Sequence, residues 1–113
     1  MSNTDLQKRQ AEYDAKYWQH SPGKFEKIRH ITLHMGKLLG KLSTHCEAVE
    51  HGREGNDQIL RKEVISDLQI YAFQLANLYG DSAEKRYLER IAENEERTTK
   101  KRCHKTLQIL TSA

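Results

Sequence analysis

Residues 28–49, IRHITLHMGKLLGKLSTHCEAV, carry apolar side chains at Ile28, Ile31, Met35, Leu38, Leu42 and Val49. Steps of three and four residues place such side chains along one side of an α-helix, as packed long helices require. The stretch predicts a long amphipathic helix, extending over 24–51. No segment alternates at period two for long enough to make a strand, so the chain reads as all-α.

Punctuation divides the rest. Pro22 is the only proline, and most of the glycines fall between periodic segments. Ser21 and Pro22 supply a cap and a first-turn proline for the second helix. Upstream, Thr4-Asp5-Leu6-Gln7 has the capping-box pattern and predicts a first helix running to Trp18, with Tyr13, Tyr17 and Trp18 as an aromatic side. HGREGND, 51–57, reads as a loop. A third helix over 58–79 puts Leu60, Val64, Leu68, Tyr71, Leu75 and Leu78 on one side. Ile65, Ala72 and Ala76 widen that side, so this helix is expected to be the most buried. Gly80 is a helix stop. Asp81-Ser82-Ala83-Glu84 caps a fourth helix that runs through RYLERIAENEER, 86–97. Its apolar content falls after Ile91, so 93–102 is expected to be solvated or frayed. The tail HKTLQILTSA, 104–113, is expected to add a short helix or to dock on a partner chain. The expectation is one domain, 1–113, folded as an antiparallel bundle of four main helices.

The composition bounds the function. Of 113 residues, 36% are hydrophobic and 31% charged, which is lean for a monomer's core but too patterned for disorder. Small helical chains of this kind complete their core by associating, so a homodimer or homotetramer is expected. The net charge of +3 is well mixed and weighs against a nucleic-acid partner, while phosphorylated small molecules fit it. Cys46 and Cys103 form no CxxC pair and read as reduced, partly buried thiols. No apolar run approaches the roughly 20 residues of a membrane span, and the polar N-terminus has no signal segment. A soluble, cytoplasmic protein is expected.

Beside the apolar stripe of the second helix, His30, His34, Lys37 and Lys41 share a face through steps of four, three and four. They read either as a basic solvated face whose stems cover the core or as the edge of a cleft. His30 and His34 have the spacing of a metal pair but lack a third ligand, which disfavours zinc. His45 falls in the apolar stripe and reads as a hydrogen-bonded core histidine. Gly36 and Gly40 each cost about 1 kcal/mol against alanine in a helix interior. They imply close approach by another helix or room for a ligand. On the third helix Glu63, Asp67, Gln74 and Asn77 flank the apolar side. Asp67 lies between Val64 and Tyr71, where a carboxylate needs a partner. That partner is a cation such as Lys37, Lys41 or an arginine, or else a metal or phosphate site. Arg86, Arg90, Asn94 and Arg97 share a face of the fourth helix and suit phosphate, or form an exposed basic face.

Across 28–97 the chain resembles the MazG-like, all-α nucleotide pyrophosphohydrolases. The phrase EVISDLQIYAFQLANLYG, 63–80, resembles the family's third-helix signature. RIAENEER, 90–97, resembles its Arg/Lys…Asn…Arg segment, and Gly40-Lys41-Leu42 corresponds to its Gly-Glu-Leu. Such proteins bind Mg²⁺ with clustered carboxylates and cleave nucleoside triphosphates to the monophosphate and pyrophosphate. Asp67 matches the family's aspartate, and Asn94 and Arg97 match its substrate-side segment. The departures are Lys37 and Lys41, which stand where two glutamate ligands would be, and Val64, which stands where a third would be, with Glu63 adjacent. A cationic pair repels Mg²⁺. The resemblance so read implies a protein that binds a nucleotide-like or other phosphorylated ligand through His34, Lys37, Lys41, Asp67, Asn94 and Arg97, without a cofactor and without standard Mg²⁺-dependent hydrolysis. One alternative is an active pyrophosphohydrolase with a rearranged carboxylate set from Glu47, Glu50, Glu63 and Asp67, holding Mg²⁺ on Glu63 and Asp67. Another is a structural helical oligomer with no small-molecule ligand.

Overall fold

The computed structural model describes residues 1–18 and 23–112, with side chains described as far as Arg102. Among the described residues the structure is all helical, without strands. Helix α1 is Asn3–Tyr17, α2 is Lys24–Glu50, and α4 is Ala83–Ser112. Helix α3 spans 57–78 as one rod, α-helical over Asp57–Ile59, π-helical over Leu60–Val64 and α-helical again over Ile65–Leu78.

The caps explain where each rod begins and ends. Ser2 caps α1: its hydroxyl accepts from Asp5 N at 3.2 Å, and Asp5 Oδ2 accepts from Ser2 N at 3.0 Å. The bonds from the Ser2 backbone and hydroxyl hold the Asp5 carboxyl below its usual range. The capping box thus lies two residues before the one predicted at Thr4, whose hydroxyl donates instead to Glu84 Oε2 at 2.8 Å. Gly23 is the N-cap of α2, while the predicted cap at Ser21 and Pro22 lies outside the described residues. Gly52 and Gly80 follow α2 and α3 with φ of 73° and 60°. Each is followed by an amide that reaches back across the last turn, Arg53 N to Ala48 O and Asp81 N to Ala76 O. That closure needs a left-handed residue, and glycine adopts it at little cost. Asn56 caps α3, its side chain accepting from Ile59 N at 3.1 Å.

Helices α2 and α3 run antiparallel, since Lys41 meets Glu63 while His34, two turns earlier, meets Tyr71, two turns later. Helix α1 lies across α3 and touches the start of α4. The buried apolar side chains are Trp18, Ile31, Leu38, Val64 and Phe73. Two predicted faces do not go where they were expected. On α2, Ile31 and Leu38 are buried, but Met35, Leu42 and Val49 are left exposed. On α3, Ile65 and Leu68 are exposed, while Phe73 and Gln74 are buried. Each helix therefore meets its neighbour along the edge of its apolar stripe.

Helix α4 does not close a bundle along its length. From Glu84 to Arg102 every residue is exposed except Asn94, which is half-buried. The segment 93–102, expected to be solvated or frayed, is exposed but regularly helical, and the tail continues the same helix to Ser112. The tail's side chains lie outside the described residues. The radius of gyration is 19.5 Å, against about 13 Å for a compact domain of this length.

Candidate functional site

The facing sides of α2 and α3 carry the polar cluster. Lys41 Nζ lies 2.9 Å from Glu63 Oε2. The hydrogen bond to Glu63 raises the Lys41 pKa above its ordinary value; desolvation opposes it, and the charges of Glu63 and Asp67 add to the rise. Burial, reinforced by the Asp67 carboxylate, likewise pushes the Tyr71 hydroxyl up. Lys41, Glu63, Asp67 and Tyr71 thus form one electrostatic group. Beside it runs a row of rings: Trp18 to His30 at 5.6 Å, His30 to His34 at 4.2 Å, and His34 to Tyr71 at 6.3 Å between centroids.

Both raised values act in the same direction on stability. The folded state holds these two protons more tightly than the unfolded chain, so their stabilisation is complete below the unfolded pKa values and is lost as pH rises through the folded ones. Urea unfolding should show the protein weakening as pH rises above about 10, the ordinary tyrosine and lysine range. Lys41→Met and Tyr71→Phe should each flatten that fall, and an unchanged slope in both would refute the cluster's role.

Toward the α2–α3 loop the cluster opens into a cavity of about 400 Å³ lined by Lys37, Lys41, His45, Glu54 and Asn56, with Gly40 in its wall. His45 builds this corner. Its Nδ1 accepts from Asn56 N at 2.8 Å, so it is hydrogen-bonded as expected, at a cavity wall. A side chain at Gly55 would place Cβ 2.3 Å from the His45 ring, so glycine lets the loop close over the histidine. The space around Gly36 and Gly40 is open, with nothing within 4 Å of where a Cβ would stand. The close helix approach predicted for them is not made within one chain, and Gly40 borders the cavity instead.

The predicted site residues are only partly brought together. His34, Lys41, Glu63 and Asp67 share the α2–α3 face, and Lys37 lies at the adjoining cavity. Lys37 has no ion pair among the described residues, whereas Lys41 is committed to Glu63. Asn94 and Arg97 lie on the α4 arm and bond to each other, and no described contact joins them to the cluster. Arg86 pairs with Asp81 and Glu89, and Arg90 with Glu93. Glu47 and Glu50 are exposed on α2, apart from Glu63 and Asp67. Among the described residues no group of three or more histidine, cysteine, aspartate or glutamate side chains is gathered that could hold a metal ion. Cys46 is exposed, not partly buried, and the Cys103 side chain lies outside the described residues.

Gln74 and Asn77 turn away from this cluster to α1. Gln74 Nε2 donates to Asp14 Oδ1 at 3.0 Å, and Asn77 exchanges bonds with Gln7. The spacing of Gln7, Gln10 and Asp14, one face of α1, is the signal that could have indicated this polar seam. Comparison of the chain with protein-family models, curated proteins and solved structures gives no match.

Proposed function

We propose that the chain is a divergent MazG-like protein that binds a phosphorylated, nucleotide-like ligand at the α2–α3 cavity and does not hydrolyse it by the Mg²⁺-dependent route. The observation that carries this reading is Lys37, a cation without an ion-pair partner among the described residues at the wall of a cavity large enough for a phosphorylated group. Lys41 adds a second ammonium, already oriented by Glu63. Asn56 adds an amide nitrogen, since its oxygen is engaged in capping α3. Two ammonium groups and an amide donor suit phosphate oxygens. The same ammonium groups disfavour a divalent cation beside Glu63 and Asp67. Glu54 places one carboxylate in the wall, which a phosphate must tolerate.

Pyrophosphate and a panel of nucleoside triphosphates, with and without Mg²⁺, should be tested by thermal shift and by product release. A probe at ten times its dissociation constant should stabilise the protein by about 1.4 kcal/mol, a rise of roughly 4 °C or more. Lys37→Ala should abolish the shift and Glu54→Gln should enlarge it. Gly40→Ala should stabilise the free protein by about 1 kcal/mol through helix propensity while weakening the probe by crowding the cavity. Mg²⁺-dependent turnover lost in Asp67→Ala would overturn the proposal in favour of a hydrolase. No response to any probe would leave a structural oligomer.

A further inference from the structure

Phe25 and Leu33 apart, the large apolar residues left exposed on α2 and α3 lie on one side of the pair. At about 100° per residue, the exposed Met35, Leu39, Leu42 and Val49, with the half-buried Ile28 continuing their row, centre roughly a quarter-turn from the edge of α2 that meets α3. On α3, Ile65, Leu68 and Ala72 lie a similar turn from Val64, Asp67 and Tyr71, which face α2. Because the helices run antiparallel, these two displacements bring both apolar rows to the same side. Helix α1 occupies the other side, where Gln74 and Asn77 point.

We propose that this face is covered by a second copy of the chain, with α2 lying antiparallel against the partner's α2. Three observations select that occupant, and none depends on the phosphate reading. The first is area. The chain exposes 9081 Å², against about 6,400 Å² for a compact monomer of this mass. The projecting α4 accounts for part of the excess, yet the excess is several times the roughly 800 Å² that each partner of a stable dimer buries. Leu39 is 65% exposed and Ile65 54%, so the open face is made of large apolar side chains.

The second is period. Ile28, Met35, Leu42 and Val49 recur every seventh residue, with Leu39 and Cys46 between them. That is the seam of a helix packed lengthwise on another helix, and the contact with α3 does not use it. Gly36 beside the seam has open space where its side chain would be, which permits close backbone approach. The third is charge. Arg29 flanks the seam near its start and Glu50 near its end, and neither has an ion pair among the described residues. An antiparallel two-fold pairing brings Arg29 alongside the partner's Glu50 at both ends, whereas a parallel pairing sets like charges together.

Sedimentation equilibrium of the full chain over two decades of concentration tests this. The expected species is a dimer of twice the 13.2 kDa chain mass, with a thermal midpoint that rises with concentration. Leu39→Glu and Leu42→Glu should each raise the dissociation constant by at least about 100-fold, because a charge is stranded in an apolar contact. Leu33→Glu, at a side chain about as exposed as Leu39 but off the seam, should leave association unchanged. Arg29→Glu should weaken the dimer, and adding Glu50→Arg should restore it, a rescue that a mere folding defect would not give. A tetramer that falls to dimers in the seam variants also supports the interface. A monomer at every concentration, or an assembly whose size and affinity Leu39→Glu leaves unchanged, overturns it.

Discussion

Ile31→Ala should cost about 3 kcal/mol, enough to remove much of the stability of a small helical protein. Ile31 is 1% exposed and is the largest fully buried side chain. Truncation forfeits the transfer free energy of the lost methylenes and leaves a cavity that helices fixed by α1, α2 and α3 cannot readily collapse. Leu38→Ala, at 2% exposure two turns along the same edge of α2, should cost a comparable amount. Leu33→Ala, on a side chain 60% exposed, should stay within about 0.5 kcal/mol. Urea unfolding at one fixed protein concentration gives all three values. A cost below that of Leu33→Ala at either buried position would mean that the centre of the core has been misplaced.

That contrast also marks how far the sequence could be read. The four rods were legible because their stops are local chemistry: Gly52 and Gly80 end α2 and α3 in the left-handed region, as their positions after periodic segments implied. Which edge of each rod meets its neighbour was not legible. Periodicity names an apolar stripe but not its partner, and the contact of α2 with α3 admits His34 and Lys41 because rings can stack and an ammonium can pair with Glu63. Met35 and Leu42 stay outside for the same reason. The π-helical turn at Leu60–Val64 has no sequence signature, since it is a choice of hydrogen-bond partner within an otherwise ordinary helix. At the site, a carboxylate on α3 opposite the lysines of α2 was foreseen, but the direct partner is Glu63, with Asp67 acting at longer range. Asn94 and Arg97 share a helix face, as their spacing requires. Spacing along one helix says nothing about whether that face turns toward another, and here it lies on the α4 arm.

Gln7→Ala should cost about 2–3 kcal/mol, although the sequence assigns the residue only a capping role on a largely polar helix. Its amide joins three helices. Nε2 donates to Asn77 Oδ1 at 2.9 Å and to Asp81 O at 2.8 Å, while Oε1 accepts from Ala83 N at 2.9 Å. Ala83 N is one of the orphan donors at the start of α4, and Asp81 O lies in the turn that leaves α3. Truncation leaves these part-buried groups without their partner, and that loss exceeds the worth of an ordinary exposed hydrogen bond. Gln7→Glu separates donation from shape. It keeps the acceptor for Ala83 N but turns a carboxylate on Asn77 Oδ1 and Asp81 O, so at pH 7 it should destabilise at least as much as alanine. Those two oxygens favour the protonated acid, which can donate to them. The folded state of the variant therefore raises that pKa, and the variant's deficit relative to the wild type should shrink as pH falls through the carboxylate range. Urea midpoints at two pH values, with hydrogen exchange at Ala83 N, check both parts. Lost protection at that amide is expected in Gln7→Ala, and a Gln7→Glu deficit that stays constant with pH would show that donation to Asn77 and Asp81 does not hold the junction of α1, α3 and α4.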